Sequence, residues 1–125
     1  MNENIALPKV KIMIGGEEFV LTFTLYAFAK LKKLFGINAL KGELDFYDPE
    51  QALYFLWAGL ISEQPQFDGD LIDGRPDKQL AEALKKLGTA LTISELFKLG
   101  ASIKQAFDNA TSSGKSDAEQ TSKKK

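Results

Sequence analysis

At 125 residues, 44% hydrophobic and 26% charged, the chain has the composition of one globular domain able to bury a core without disulfide or metal support. It contains no cysteine and no histidine, which excludes disulfides, thiolate and imidazole metal sites, Cys- and His-based nucleophilic catalysis and the usual general base at neutral pH. The formal net charge of −1 gives no electrostatic reason to expect nucleic acid or a membrane surface as a partner, so the expectation is a non-enzymatic protein with no cofactor.

The charge is unevenly placed. Residues 1–110 carry 12 basic against 15 acidic side chains, while residues 111–125 carry 4 against 2. Residues 1–8 read as a flexible leader ending in Pro8, without the basic and apolar regions of a signal peptide. From residue 9 the pattern has period two. Val10, Ile12 and Ile14 lie on one face, and after Gly15-Gly16 the residues Phe19, Leu21 and Phe23 do the same. Two such runs split by Gly-Gly predict a β-hairpin over 9–23, since glycine tolerates positive φ at both turn positions. A two-residue turn pairs Ile14 with Glu17, Ile12 with Phe19 and Val10 with Leu21, which puts apolar against apolar on one face. Flanking strands also exclude a phosphate-binding loop at Gly15-Gly16.

A helix is predicted over about 25–35, with Thr24 as N-cap, Phe23 and Phe28 as a hydrophobic staple, and Gly36 as the left-handed stop. Ala27, Phe28, Leu31, Leu34 and Phe35 form its apolar arc. Lys30, Lys32 and Lys33 fall outside that arc and read as an ordinary solvated face rather than a nucleic-acid strip. A connector over 37–47 retains Ile37, Leu40, Leu44 and Phe46. Asp48 (N-cap), Pro49 and Gln51 then open a second helix over about 49–62. Its run from Ala52 to Ile61 has no polar side and is too short to span a bilayer. It is either the central helix of the domain or a helix with one face covered by another chain. Within it Tyr54, Trp57, Ala58, Gly59 and Leu60 are the candidate partner-binding residues, because aromatic side chains anchor interfaces and a mid-helix glycine marks a close approach.

Residues 63–77 read as a loop with room for one helical turn. Its stretch Asp68-Gly69-Asp70-Leu71-Ile72-Asp73-Gly74 fails as a calcium loop, with Ile72 at a ligand position, Asp73 where glycine is needed and Gln79 where a bidentate glutamate belongs. A third helix over about 78–87 carries Leu80, Ala83, Leu84 and Leu87 and is expected to stop at Gly88. The fourth, over about 93–109, opens on a capping box of Thr92 and Glu95, with a core stripe of Leu96, Leu99, Ile103 and Phe107. Residues 111–125 contain no apolar residue larger than alanine and read as a disordered polar tail ending in Lys123-Lys124-Lys125. The fold class expected is α+β: an N-terminal antiparallel β-hairpin packed on a bundle of about four helices, forming a single domain over 9–110.

The run from Lys11 to Leu25, continuing through Ala27, Leu31 and Phe35-Gly36, resembles the opening of the tail assembly chaperones of long-tailed bacteriophages. Leu56-Trp57-Ala58-Gly59-Leu60 followed by Pro65 resembles that family's middle helix. The resemblance implies a protein of the host bacterial cytoplasm that coats the tape measure protein, hands it to the tail tube protein and is absent from the mature virion. It also implies a longer form made by translational frameshifting, to which the closing lysines fit. Self-association is compatible with it. Two other readings are an alternative tail or connector structural protein and a small nucleic-acid-binding regulator.

Overall fold

A computed structural model of the chain describes residues 9–42, 45 and 47–122, with residues 112–122 described by backbone alone. The leader 1–8, Leu44, Phe46 and Lys123-Lys124-Lys125 lie outside the described residues, as do the side chains of residues 112–122 in the tail expected to be disordered.

The β-hairpin opens the described chain. Strand β1 (Val10–Ile14) pairs antiparallel with β2 (Glu17–Leu21), Ile12 opposite Phe19 and Val10 opposite Leu21. Gly15 and Gly16 have φ of 60° and 82°, the left-handed pair a two-residue turn requires. This register buries Ile12, Ile14, Phe19 and Leu21 on one face and leaves Lys11 and Met13 in solvent. Helix α1 (Leu25–Phe35) follows directly. Thr24 caps it by accepting the Ala27 N–H at 3.1 Å, and the stapling rings of Phe23 and Phe28 stack at 5.7 Å. Gly36, at φ 71°, ends it; its N–H and that of Ile37 satisfy the Lys32 and Leu31 carbonyls.

After a 3₁₀ turn (Ala39–Lys41), helix α2 (Pro49–Leu60) runs through the centre, its Asp48 cap accepting the Glu50 N–H. Phe55, Leu56, Trp57, Ala58 and Leu60 are fully buried. Each of the larger ones contributes about 1.5–3 kcal/mol over exposure. Of the two alternatives the sequence leaves open, the central helix is the one observed. Gly59 allows its contact with the hairpin: a Cβ there would lie 2.8 Å from Leu21 Cδ2 and 3.1 Å from Phe23 Cζ, and the Thr22 N–H donates to the Gly59 carbonyl at 2.8 Å. Just beyond α2, the half-amide of Gln64 acts as a substitute strand. Its Oε1 accepts from Val20 N at 2.9 Å and its Nε2 donates to Val20 O at 3.0 Å, so the outer edge of β2 is hydrogen-bonded at that residue.

The 63–77 segment contains a 3₁₀ turn (Pro65–Phe67) and a small hairpin, β3 (Leu71–Ile72) with β4 (Arg75–Pro76). Asp73 and Gly74 form its left-handed turn at φ 55° and 78°. Helix α3 spans Lys78–Ala90. It passes through Gly88, where the sequence suggests a stop, because one glycine costs a helix only about 1 kcal/mol and the extra turn brings Leu91 against the core. Helix α4 spans Ile93–Ser122, longer than the expected 93–109, and the last of its described side chains to meet the core is Ala110. The capping box forms reciprocally: Thr92 N–H to Glu95 Oε1 at 2.9 Å and Glu95 N–H to Thr92 Oγ1 at 3.1 Å. Helix α4 packs chiefly on α2 and also on β1, placing Phe107 edge-on to Phe23, Phe28 and Phe55. The architecture is α+β, a hairpin on four helices. Among the described residues no helix is long and apolar enough to cross a membrane.

Candidate functional site

Three helix ends converge on one site. The first turns of α2 supply Pro49, Glu50, Leu53 and Tyr54; the end of α3 supplies Leu84, Leu87 and Gly88; the corner and start of α4 supply Leu91, Thr92, Ile93 and Leu96. They enclose an apolar groove of about 410 Å³. Each wall is fixed locally: Asp48 and Pro49 set the start of α2, and the Thr92–Glu95 box sets the start of α4. Tyr54 is held by a stack on Phe35, with ring centroids 3.8 Å apart and planes 5° off parallel. Its hydroxyl donates to Glu50, the one charged residue of the lining, at 3.0 Å. Burial, and then that hydrogen bond, push the Tyr54 phenol above the usual tyrosine range.

At Gly88 a Cβ would meet only Leu53 Cδ2 at 3.8 Å, so the absent side chain keeps the groove floor open without any backbone requirement for glycine. Beside the mouth stand Ile93 (61% exposed), Phe97 (39%) and Tyr47 (85%), the last two with rings 6.4 Å apart. A concave apolar site with exposed aromatic and aliphatic margins accepts roughly two or three side chains of an amphipathic helix at i, i+3 and i+4 spacing. Among the described residues no cluster of Asp or Glu is arranged to hold a metal.

The residues singled out from the sequence lie elsewhere, with one exception. Trp57, Ala58 and Leu60 have no exposed surface, and Trp57 Nε1 donates to the Phe67 carbonyl at 2.8 Å. Gly59 faces Leu21 and Phe23. These four belong to the chain's own core, because α2 is covered by the hairpin, α1, α3 and α4. Only Tyr54 reaches the groove. Gly15, Gly16, Gly36, Thr92 and Glu95 hold the turn and cap positions assigned to them. The sequence reading misses the groove; the signal available for it is the apolar pair Ile93 and Phe97, which lies off the core stripe of α4.

Lys30 also departs from the solvated position its wheel angle implies: it is 6% exposed. Its ammonium pairs with Asp68 Oδ1 at 3.1 Å and Asp70 Oδ2 at 3.5 Å and donates to the Gly69 carbonyl. Burial pulls its pKa down, but the Asp68 hydrogen bond and the charges of Asp68 and Asp70 outweigh it, and the net shift is upward. The carboxylates of the acidic loop therefore serve a lysine. Lys33 joins them at 3.4 Å from Asp70, and Lys32 is exposed. Comparison with protein-family models, curated proteins and solved structures finds no match for this chain.

Proposed function

We propose that this chain is an assembly factor that works by protein contact: a bacteriophage tail assembly chaperone that takes an amphipathic helix of the tape measure protein into the groove between α2, α3 and α4. The observation that carries this reading is the apolar groove with Ile93, Phe97 and Tyr47 left in solvent at its margin. A large apolar surface beside a concave site is a docking feature, and the lining is apolar apart from Glu50, the Tyr54 hydroxyl and Thr92. The order of hairpin, aromatic-Gly helix end and Trp-Ala-Gly helix supports the family. In that role the chain acts in the host bacterial cytoplasm, without turnover and without cofactor, meets the tail tube protein at hand-over, and leaves before the virion is complete.

The test uses Gly88→Leu, which fills the groove from a helical position where the new side chain favours the helix, and Phe97→Asp at the margin. Co-expressed with the tape measure protein, the wild-type chain is expected to keep it soluble and to co-purify with it. Each variant should lose at least tenfold in recovered complex without a lowered unfolding midpoint. Undiminished complex with Gly88→Leu overturns the groove as the site, and presence of the chain in purified virions favours a structural tail protein instead.

A further inference from the structure

Among the described residues Lys30 is the one charged residue buried by the fold, and its partners are three consecutive residues of the loop, Asp68, Gly69 and Asp70. The loop is in turn fastened to the start of α3. Asp70 N–H donates to Asp77 Oδ2 at 3.1 Å, Asp77 N–H donates to the Asp70 carbonyl at 2.8 Å, and Asp77 Oδ1 caps Leu80 N–H at 2.8 Å. Gly69 presses on α3 so closely that a Cβ would lie 2.6 Å from Leu80 Cβ and 2.7 Å from Leu80 Cα. Otherwise α1 packs chiefly on α2 and the Ala39–Lys41 turn, with Phe28 also meeting Phe107 of α4, and α3 packs on α2, the Pro65–Phe67 turn and β4. The Lys30 cluster is thus the described tie from α1 to the N-terminal end of α3, whose C-terminal end is a groove wall.

We propose that Lys30, Asp68 and Asp70 form an ionic latch that clamps the 63–77 loop onto α1, fixes α3 through Asp77 and Leu80, and so sets the width of the groove. The physical basis is the cost of a buried ammonium without its carboxylates. Deprived of them, Lys30 regains full hydration only when its side chain or the loop over it is displaced, and displacement of the loop carries the attached end of α3 with it. The charged and titratable groups facing the cluster are Tyr26, whose hydroxyl donates to Asp68 Oδ2 at 2.5 Å, Lys33 on Asp70, and Asp77. The Leu71 N–H, then the charges of Lys30 and Lys33, hold the Asp70 carboxyl below the ordinary aspartate range. The contribution of Asp70 is therefore complete above that range and lost as pH falls through its lowered value. At neutral pH the latch is closed. Its functional meaning rests on the groove reading above, while the coupling itself is a property of the fold.

The test is methyl and amide NMR on the full chain at pH 7, with Asp70→Asn, Lys30→Met and the double variant. Amide exchange at Gly69, Leu71 and Leu80 is expected to rise roughly tenfold or more in each single variant. The Leu84 and Leu87 methyl resonances at the groove should move in the same direction in both. The double variant should not exceed Lys30→Met, since that change already removes the Lys30–Asp70 pair along with the contacts to Asp68 and Gly69. A loop that opens while the groove methyls stay put overturns the coupling, and unchanged exchange overturns the latch. If Lys30→Met fails to fold, the part-exposed Asp70→Asn decides. Client binding is not read in this experiment, so a latch that behaves as described beside a chain that ignores the tape measure protein would sink only the proposed function.

Discussion

Gly59 and Gly69 face different kinds of neighbour, and the difference sets the cost of adding a methyl group. At Gly59 the new Cβ meets the tips of Leu21 and Phe23, side chains that can yield a little. Better helix propensity offsets part of the overpacking, so Gly59→Ala should lower stability by about 1–2 kcal/mol. At Gly69 the obstacle is Leu80 Cα and Cβ, so all of α3 must shift, and Gly69→Ala should cost about 3 kcal/mol or more. Urea midpoints of the two variants check this order. Thr22 gives the opposite sign. Its buried Oγ1 has no hydrogen-bond partner among the described residues, so Thr22→Val, which keeps the shape and removes the hydroxyl, should raise stability by about 1 kcal/mol. Tyr26, by its bond to Asp68 and then burial, and Tyr54, by burial and then its bond to Glu50, have phenols raised above the ordinary value. Folding then favours their neutral forms, and the stability they contribute is present below about pH 10 and lost as pH rises through the folded-state values. Unfolding measured between pH 8 and 11 should show this alkaline fall, shallower in Tyr26→Phe.

Elements whose causes lie within a few residues were legible in advance. The hairpin register follows from Gly15-Gly16 and the alternation about it; the bounds of α1 follow from Thr24 and Gly36; the start of α4 follows from Thr92 and Glu95. Thr92→Ala should therefore cost about 1 kcal/mol in thermal unfolding. Less visible were features that depend on distant partners. Nothing near Lys30 announces that Asp68 and Asp70, some forty residues on, will neutralise it. A helical wheel assigns a lysine by its own element and cannot see a loop folding over it. The small hairpin at Asp73-Gly74 is a different case, since Asp-Gly is in itself a signal for a two-residue hairpin turn, here between Leu71-Ile72 and Arg75-Pro76. Gly88 does not end α3, because its φ is not left-handed and Leu91 beyond it packs against the core.

For the whole molecule, the aromatic run of α2 posed the central ambiguity, and burial resolved it toward the core. Trp57 and its neighbours hold the helices together, and an open apolar groove is found where helix ends fail to close over Leu53 and Gly88. Composition marks a residue as worth burying but not which chain buries it; only the arrangement of the other helices decides that. The same arrangement leaves the outer edge of β2 covered at Val20 by one side chain. A two-stranded ribbon with a bare flank is a template on which further extended segments can dock without limit. Gln64 occupies that flank at Val20. Gln64→Ala should thus do more than loosen the monomer. Held at high concentration, the variant is expected to scatter light and bind thioflavin T while the parent stays clear, which would identify a lone carboxamide as this protein's guard against fibrillar growth.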